Sequence, residues 1–178
     1  MAAIMNITAV PFGNAEINYA TKTVTCQHGE LECVVNAYEQ CGMFLYPDQA
    51  TWMPFYVCLE SYGSGEGGGG EAMIAAVPEC AVAAGMSAAL VETCQSDASL
   101  VWALQEAAAA TTAAAGHTYT PWVVVNNQLM NHEFQFKSLI CNAYTGRLPP
   151  ACLASTKATS EAVETQTRCQ VDAEAASS

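Results

Sequence analysis

Sixteen residues, Cys26 to Cys41, hold three cysteines, one histidine and three acidic side chains. Three thiols and an imidazole can ligate zinc. The same thiols can instead belong to a disulfide framework. The metal reading of Cys26, His28, Cys33 and Cys41 is the weaker one, because a helix would hold Cys33 and Cys41 two turns apart. No metal and no other cofactor is therefore expected. The nine cysteines stand at 26, 33, 41, 58, 80, 94, 141, 152 and 169. None forms a Cys-x-x-Cys pair, so the zinc-ribbon motif and the redox dithiol motif are both missing from these 178 residues. Dispersed cysteines in this number point to an oxidising compartment. The odd total leaves one thiol over, and Cys169, in the tail, is the natural odd thiol. A tail cysteine is more often unpaired, and a disulfide link between two chains through it is the lesser alternative. His117 and His132 read as loop residues, and no Gly-x-Ser-x-Gly nucleophile motif accompanies them.

Seventeen acidic against five basic residues give a formal charge of −12. Nucleic acid and anionic membrane surfaces are disfavoured as partners, because both need clustered Lys and Arg. No apolar run reaches the length of a membrane span. Residues 1 to 8 lack the basic and apolar regions of a signal peptide, which conflicts with the cysteine content. A missing natural beginning of the protein is the expected resolution.

The elements that must position the cysteines read as follows. Ile4 to Val10 is β-branched and stops at Pro11-Phe12-Gly13-Asn14, which predicts a strand. Asn6-Ile7-Thr8 is a glycosylation sequon, weak at Asn6 if that residue lies inside a strand. Thr21 to Thr25 is a short second strand. Leu31, Val34, Val35, Tyr38 and Cys41 recur at helical spacing, predicting a helix over 30–44. Tyr46-Pro47-Asp48 breaks it, and Asp48 caps a second helix over 49–62, kinked or delayed by Pro54. A glycine-rich linker over 63–70 has no phosphate-loop pattern. Helices follow over 72–84 and 87–95, and a longer one is capped at Asp97 or Ser99 and ends at Gly116. Trp122-Val123-Val124-Val125 is the most strand-like run, followed by the turn pair Asn126-Asn127. A last amphipathic helix covers 133–144.

In the hairpin of the first two helices, Cys33 and Cys58 fall at similar heights, so a Cys33–Cys58 bridge is expected. Cys80 and Cys94 flank the Gly85 turn in the same way, predicting Cys80–Cys94. Cys141 and Cys152 close a short loop, predicting Cys141–Cys152. The pairing of Cys26 and Cys41 stays open. Residues 1–152 are expected to form one domain and 153–178 a flexible tail.

The residues Cys26, Gln27, His28, Gly29, Glu32, Cys33, Asn36 and Cys41 make up Cys-Gln-His-Gly, two residues, Glu-Cys, two residues, Asn, four residues, Cys. This resembles the signature of the gamma-interferon-inducible lysosomal thiol reductases. Val10-Pro11-Phe12-Gly13-Asn14-Ala15 and Pro121-Trp122-Val123-Val124-Val125-Asn126 agree with it, so the resemblance covers roughly residues 4 to 152. It implies an α/β thioredoxin-like fold with a helical insertion, and reduction of disulfide-bonded polypeptides in lysosomes, endosomes or after secretion. It also implies a Cys-x-x-Cys site upstream of Val10, absent here together with the first strand and the active-site helix. On this reading Thr120 and Pro121, with Pro121 cis, position substrate, and no residue of the chain is a catalytic thiol. The chain is then inactive as a dithiol reductase, or serves as a disulfide-stapled polypeptide-binding module. Without the first strand, either Ile4–Val10 closes directly on Trp122–Asn126 or the sheet carries a gap.

Overall fold

The computed structural model describes residues 4–63 and 69–153. The tail from residue 154 onward, with Cys169, lies outside the described residues. The chain divides into two compact units, one of residues 7–121 and one of residues 1–6 with 122–178.

The larger unit is built around one helix. After the ribbon β1 (Glu16–Asn18) and β2 (Thr23–Thr25) come α1 (Glu30–Leu45), α2 (Gln49–Gly63), α3 (Gly70–Ala83), α4 (Ala88–Ser96) and α5 (Ala98–Ala115). Helix α1 packs against all four other helices. Its residues from Val35 to Gly42 are therefore buried on every face, Asn36, Glu39 and Gln40 included. The core joins Val35 and Tyr38 of α1 to Trp52, Phe55 and Leu59 of α2, and to Val77 and Ala81 of α3.

The helix limits follow from local chemistry. The Ser87 hydroxyl accepts from Leu90 N and caps α4. The Asp97 carboxylate accepts from Ser99 N and Leu100 N and caps α5, satisfying donors that a helix start leaves unpaired. Gly116 ends α5 at φ 62°, a left-handed conformation that glycine adopts without a Cβ clash. Helix α2 runs through Pro54 instead of starting after it.

Helices α1 and α2 approach most closely at Gly42. A Cβ there would stand 2.6 Å from the ring of Phe55, which is itself fully buried and has no room to yield. Alanine is the better helix former by roughly 1 kcal/mol, but overpacking a rigid ring costs about 1–3 kcal/mol. Gly42→Ala is expected to lose up to about 2 kcal/mol net, read as a lower urea midpoint in far-ultraviolet circular dichroism. An unchanged or higher midpoint would show that the two helices slide apart at little cost.

The strand expected over Ile4–Val10 does not form; residues 5–10 carry no regular structure. Within the larger unit, side chains take up the backbone groups that a neighbouring strand would have used. Ile7 N donates to Gln49 Oε1 at 2.7 Å, and Gln40 Nε2 donates to the Pro11 carbonyl at 2.6 Å. The expected closure of this stretch on Trp122–Asn126 thus lacks one of its two strands. Residue 6 is exposed and outside any strand, so the argument against the Asn6 sequon from a strand interior does not hold. Thr23–Thr25 is a strand, and its antiparallel partner is Glu16–Asn18, which carries no β-branched pattern apart from Ile17.

In the smaller unit β3 (Val124–Val125) pairs antiparallel with β4 (Gln128–Leu129). Asn126 and Asn127 both have positive φ, 46° and 66°, as a two-residue type I′ hairpin demands. A 3-10 turn at Glu133–Gln135 leads into α6 (Phe136–Ala143). Cys141 at the end of α6 is joined to Cys152. The described residues are thus mostly helical, with two small antiparallel ribbons.

Candidate functional site

The disulfides decide what the dense cysteine stretch can do. The described pairs are Cys26–Cys33, Cys41–Cys94, Cys58–Cys80 and Cys141–Cys152. Two expected bridges are overturned: Cys33 is not joined to Cys58, nor Cys80 to Cys94. Height along a helix does not choose a partner; rotation about the helix axis does. Helix α2 lies chiefly on α3, so Cys58 meets Cys80. Helix α4 lies on α1, so Cys94 meets Cys41. Cys33, near the start of α1, turns back to Cys26 at a Cα separation of 5.6 Å. A zinc site would need Cys26, Cys33 and Cys41 as thiolates, and all three are in disulfides.

The other signature residues shape the entry to α1. Gly29 has φ 96°, a left-handed conformation costly for any residue with a Cβ. Glu32 reaches back to His28, accepting from its backbone N at 2.6 Å and lying 3.1 Å from its Nδ1. The Asn36 amide donates to Cys26 Sγ at 3.9 Å. These residues hold a turn around the first disulfide.

The same turn is tied to two distant segments through Asn14. Its Nδ2 donates to Gln27 Oε1 at 2.7 Å and lies 3.4 Å from Thr120 Oγ1. Its Oδ1 lies 3.1 Å from His117 Nε2. The Thr120–Pro121 bond is cis. One exposed asparagine thus gathers the signature loop, the Pro-Phe-Gly-Asn turn and the loop ending at Pro121. The sequence reading assigned no role to Asn14 or His117; the signal lay only in Asn14 belonging to a family segment, since the contacts span 13 to 106 residues. Gln27 is exposed, and the loop from His117 to Pro121 is largely so. The arrangement is an open polar ledge, with hydrogen-bonding side chains beside a fixed backbone corner and no titrating thiol of its own among the described residues.

Comparison with known proteins agrees with the signature. The family model described as gamma interferon inducible lysosomal thiol reductase matches residues 1–84. An Arabidopsis thaliana protein named gamma-interferon-responsive lysosomal thiol protein is 34% identical over 158 residues, covering 85% of this chain and 63% of its own length. Mus musculus gamma-interferon-inducible lysosomal thiol reductase is 32% identical over 158 residues, covering 85% of this chain and 60% of its own. The Carassius auratus protein of the same name is 29% identical over 162 residues, with 61% of its length covered. The chain spans about three-fifths of the length of these relatives. By its complete signature, the family-model match and these relatives, the chain is similar to the gamma interferon inducible lysosomal thiol reductases.

Proposed function

We propose that this chain contributes the polypeptide-holding face of a thiol-disulfide oxidoreductase. An extended substrate segment lies along the ledge formed by Gln27, Asn14 and Thr120–Pro121. The observation that carries this reading is the convergence on Asn14 of the signature loop and the cis-proline loop. Side-chain amides and a hydroxyl offer a polypeptide backbone both donors and acceptors, without selecting particular side chains. Similarity to the thiol reductase relatives supports the reaction class, reduction of protein disulfides, and a lysosomal, endosomal or secreted setting. It also supports a thioredoxin-like arrangement for the complete site.

Such a reduction needs a thiolate to attack the substrate disulfide and a second thiol to resolve the mixed disulfide. These 178 residues contain no Cys-x-x-Cys. The absence of that motif favours the second reading for the chain by itself: a disulfide-stapled module that binds polypeptides and does not turn them over.

Two measurements test this. In an insulin-reduction assay at acidic pH, the chain is expected to add nothing to the rate of the thiol reductant alone; robust turnover would refute the non-catalytic reading. In an amide NMR titration with insulin, the resonances of Asn14, Gln27 and Thr120 are expected to move together. Shifts confined to residues away from these three would refute the binding face.

A further inference from the structure

The disulfide Cys26–Cys33 borders a cleft. In Cys41–Cys94 both sulfurs are in fully buried residues. Cys26–Cys33, like Cys58–Cys80 and Cys141–Cys152, joins a buried end to a half-buried one: Cys26 is 6% exposed, while Cys33 is half-buried. Cys33 lines an open cleft of about 290 Å³ between the β1–β2 ribbon, α1 and α5. Val34, Val101 and Trp102 form apolar walls, and Lys22 and Glu30 stand among the lining residues. Gln105 also lines it, buried, with its Oε1 lacking any hydrogen-bond partner. A buried amide oxygen left unpaired is costly, and a polar group entering the cleft would relieve it.

The two sulfurs also meet different polar groups. Asn36 Nδ2 donates to Cys26 Sγ, at 3.9 Å. On the other side the Val24 carbonyl oxygen lies 3.7 Å from Cys33 Sγ. An oxidised sulfur carries no hydrogen, so this second contact becomes a hydrogen bond only when Cys33 is a thiol. An N–H donor favours a thiolate, and a carbonyl neighbour favours a thiol. The site is polarised so that Cys26 leaves as an anion and Cys33 remains the sulfur under attack.

We propose that Cys26–Cys33 is a thiol-exchange site, entered through this cleft by a low-molecular-weight thiol and separate from the polypeptide-holding face. The incoming thiolate attacks Cys33 Sγ in line with the disulfide. A bond forms between its sulfur and Cys33 Sγ, the Cys26–Cys33 bond breaks, and its electron pair goes to Cys26 Sγ beside the Asn36 amide. A second molecule of the same thiol then attacks its own sulfur in the mixed disulfide and releases Cys33, which takes up a proton and donates to the Val24 carbonyl. Two small thiols are oxidised to one disulfide, and Cys26 and Cys33 are reduced by two electrons. Exchange depends on which sulfur is accessible and on how readily the other leaves, and both point the same way here.

The test uses the whole chain, folded and oxidised, with limiting 2-mercaptoethanol as the small thiol. After acid quenching, free thiols are alkylated and peptides are mapped by mass spectrometry. The expected result is a mercaptoethanol adduct on Cys33 with alkylated Cys26, while the other three described disulfides stay closed. An adduct on Cys26, earlier opening of Cys58–Cys80 or Cys141–Cys152, or simultaneous opening of all pairs would overturn the proposal. Asn36→Ala is expected to slow adduct formation about threefold, because the leaving thiolate loses its N–H donor; an unchanged rate in the folded variant would remove Asn36 from the site. Neither readout depends on insulin, so failure here leaves the binding face standing, and the reverse also holds.

Discussion

Replacing Cys41 and Cys94 together by alanine is expected to lower the stability of the helical unit by about 4 kcal/mol, the largest effect of any disulfide in that unit. The cross-link closes a loop of 53 residues between α1 and α4. In the chain-entropy account a disulfide stabilises by restricting the unfolded chain, and its effect grows with the logarithm of the loop. The same reasoning gives about 3 kcal/mol for Cys58–Cys80, separated by 22 residues, and about 2 kcal/mol for Cys26–Cys33, separated by 7. Burial reinforces the order. Cys41 is fully buried in the middle of α1, so removal of its sulfur also leaves a void among helices that pack on every side of it. Against a total stability of about 5–15 kcal/mol, the first pair decides whether the unit folds at ordinary temperature. Urea unfolding of the three double-alanine variants, followed at a helical wavelength, measures the ranking. A Cys26/Cys33 variant less stable than the Cys41/Cys94 variant would refute it, and would mean that the unfolded chain is not the state on which these bridges act.

The same pair shows where sequence reading stops. The helices were legible because their ends are chemical: Asp97 and Ser87 offer side-chain oxygens to free N–H groups, Gly116 turns left-handed, and Pro47-Asp48 separates α1 from α2. The Asn126-Asn127 turn was legible for the same reason. Each of these signals lies within a few residues of its effect. What Cys41 faces depends on the rotation of α1 against α4, which no local pattern sets. The stretch Ile4–Val10 misled in the opposite direction. Its β-branched residues suit a strand, but Gln49 and Gln40, supplied by helices, bind the backbone of residues 7 and 11 instead. The Asn14 contacts were illegible because they connect segments up to 106 residues apart. The helical spacing of Leu31, Val34, Val35, Tyr38 and Cys41 predicts one buried face, yet Leu31 is exposed and Val34 only half-buried. The structure instead buries every residue from Val35 to Gly42, which places an acid, Glu39, inside the unit with no local pattern to signal it.

That acid makes the helical unit more stable at acidic than at neutral pH. Glu39 is 2% exposed on α1, feels the Glu60 carboxyl of α2, and its Oε1 has no hydrogen-bond partner. Burial and then the charge of Glu60 raise its pKa well above the ordinary 4.5. Nearby groups give it no relief. Tyr56 on α2 is itself raised by burial and by the charges of Glu39 and Glu60. Tyr38 is raised by burial and by its contact with Glu92 of α4. Every charged side chain from Glu30 to Glu106 is acidic, and no Lys, Arg or His lies between His28 and His117. For an acid whose folded pKa exceeds its unfolded one, the contribution is intact below the unfolded pKa and is lost as pH rises towards the folded value. Between those limits the unfolded chain has released the proton and the folded one has not. Stability then falls by about 1.4 kcal/mol per pH unit for this one proton. The general repulsion of a chain of formal charge −12 acts in the same direction, so the wild type alone does not isolate the carboxyl. Glu39→Gln does, because glutamine keeps the shape but cannot ionise. The variant is expected to lose most of the slope and to match or exceed the wild type at pH 7. Urea midpoints of both proteins at half-unit steps from pH 4.5 to 7.5 measure it. A wild type that gains stability with rising pH, or a variant that keeps the full slope, would assign the acid preference to surface repulsion and not to the buried proton between α1 and α2.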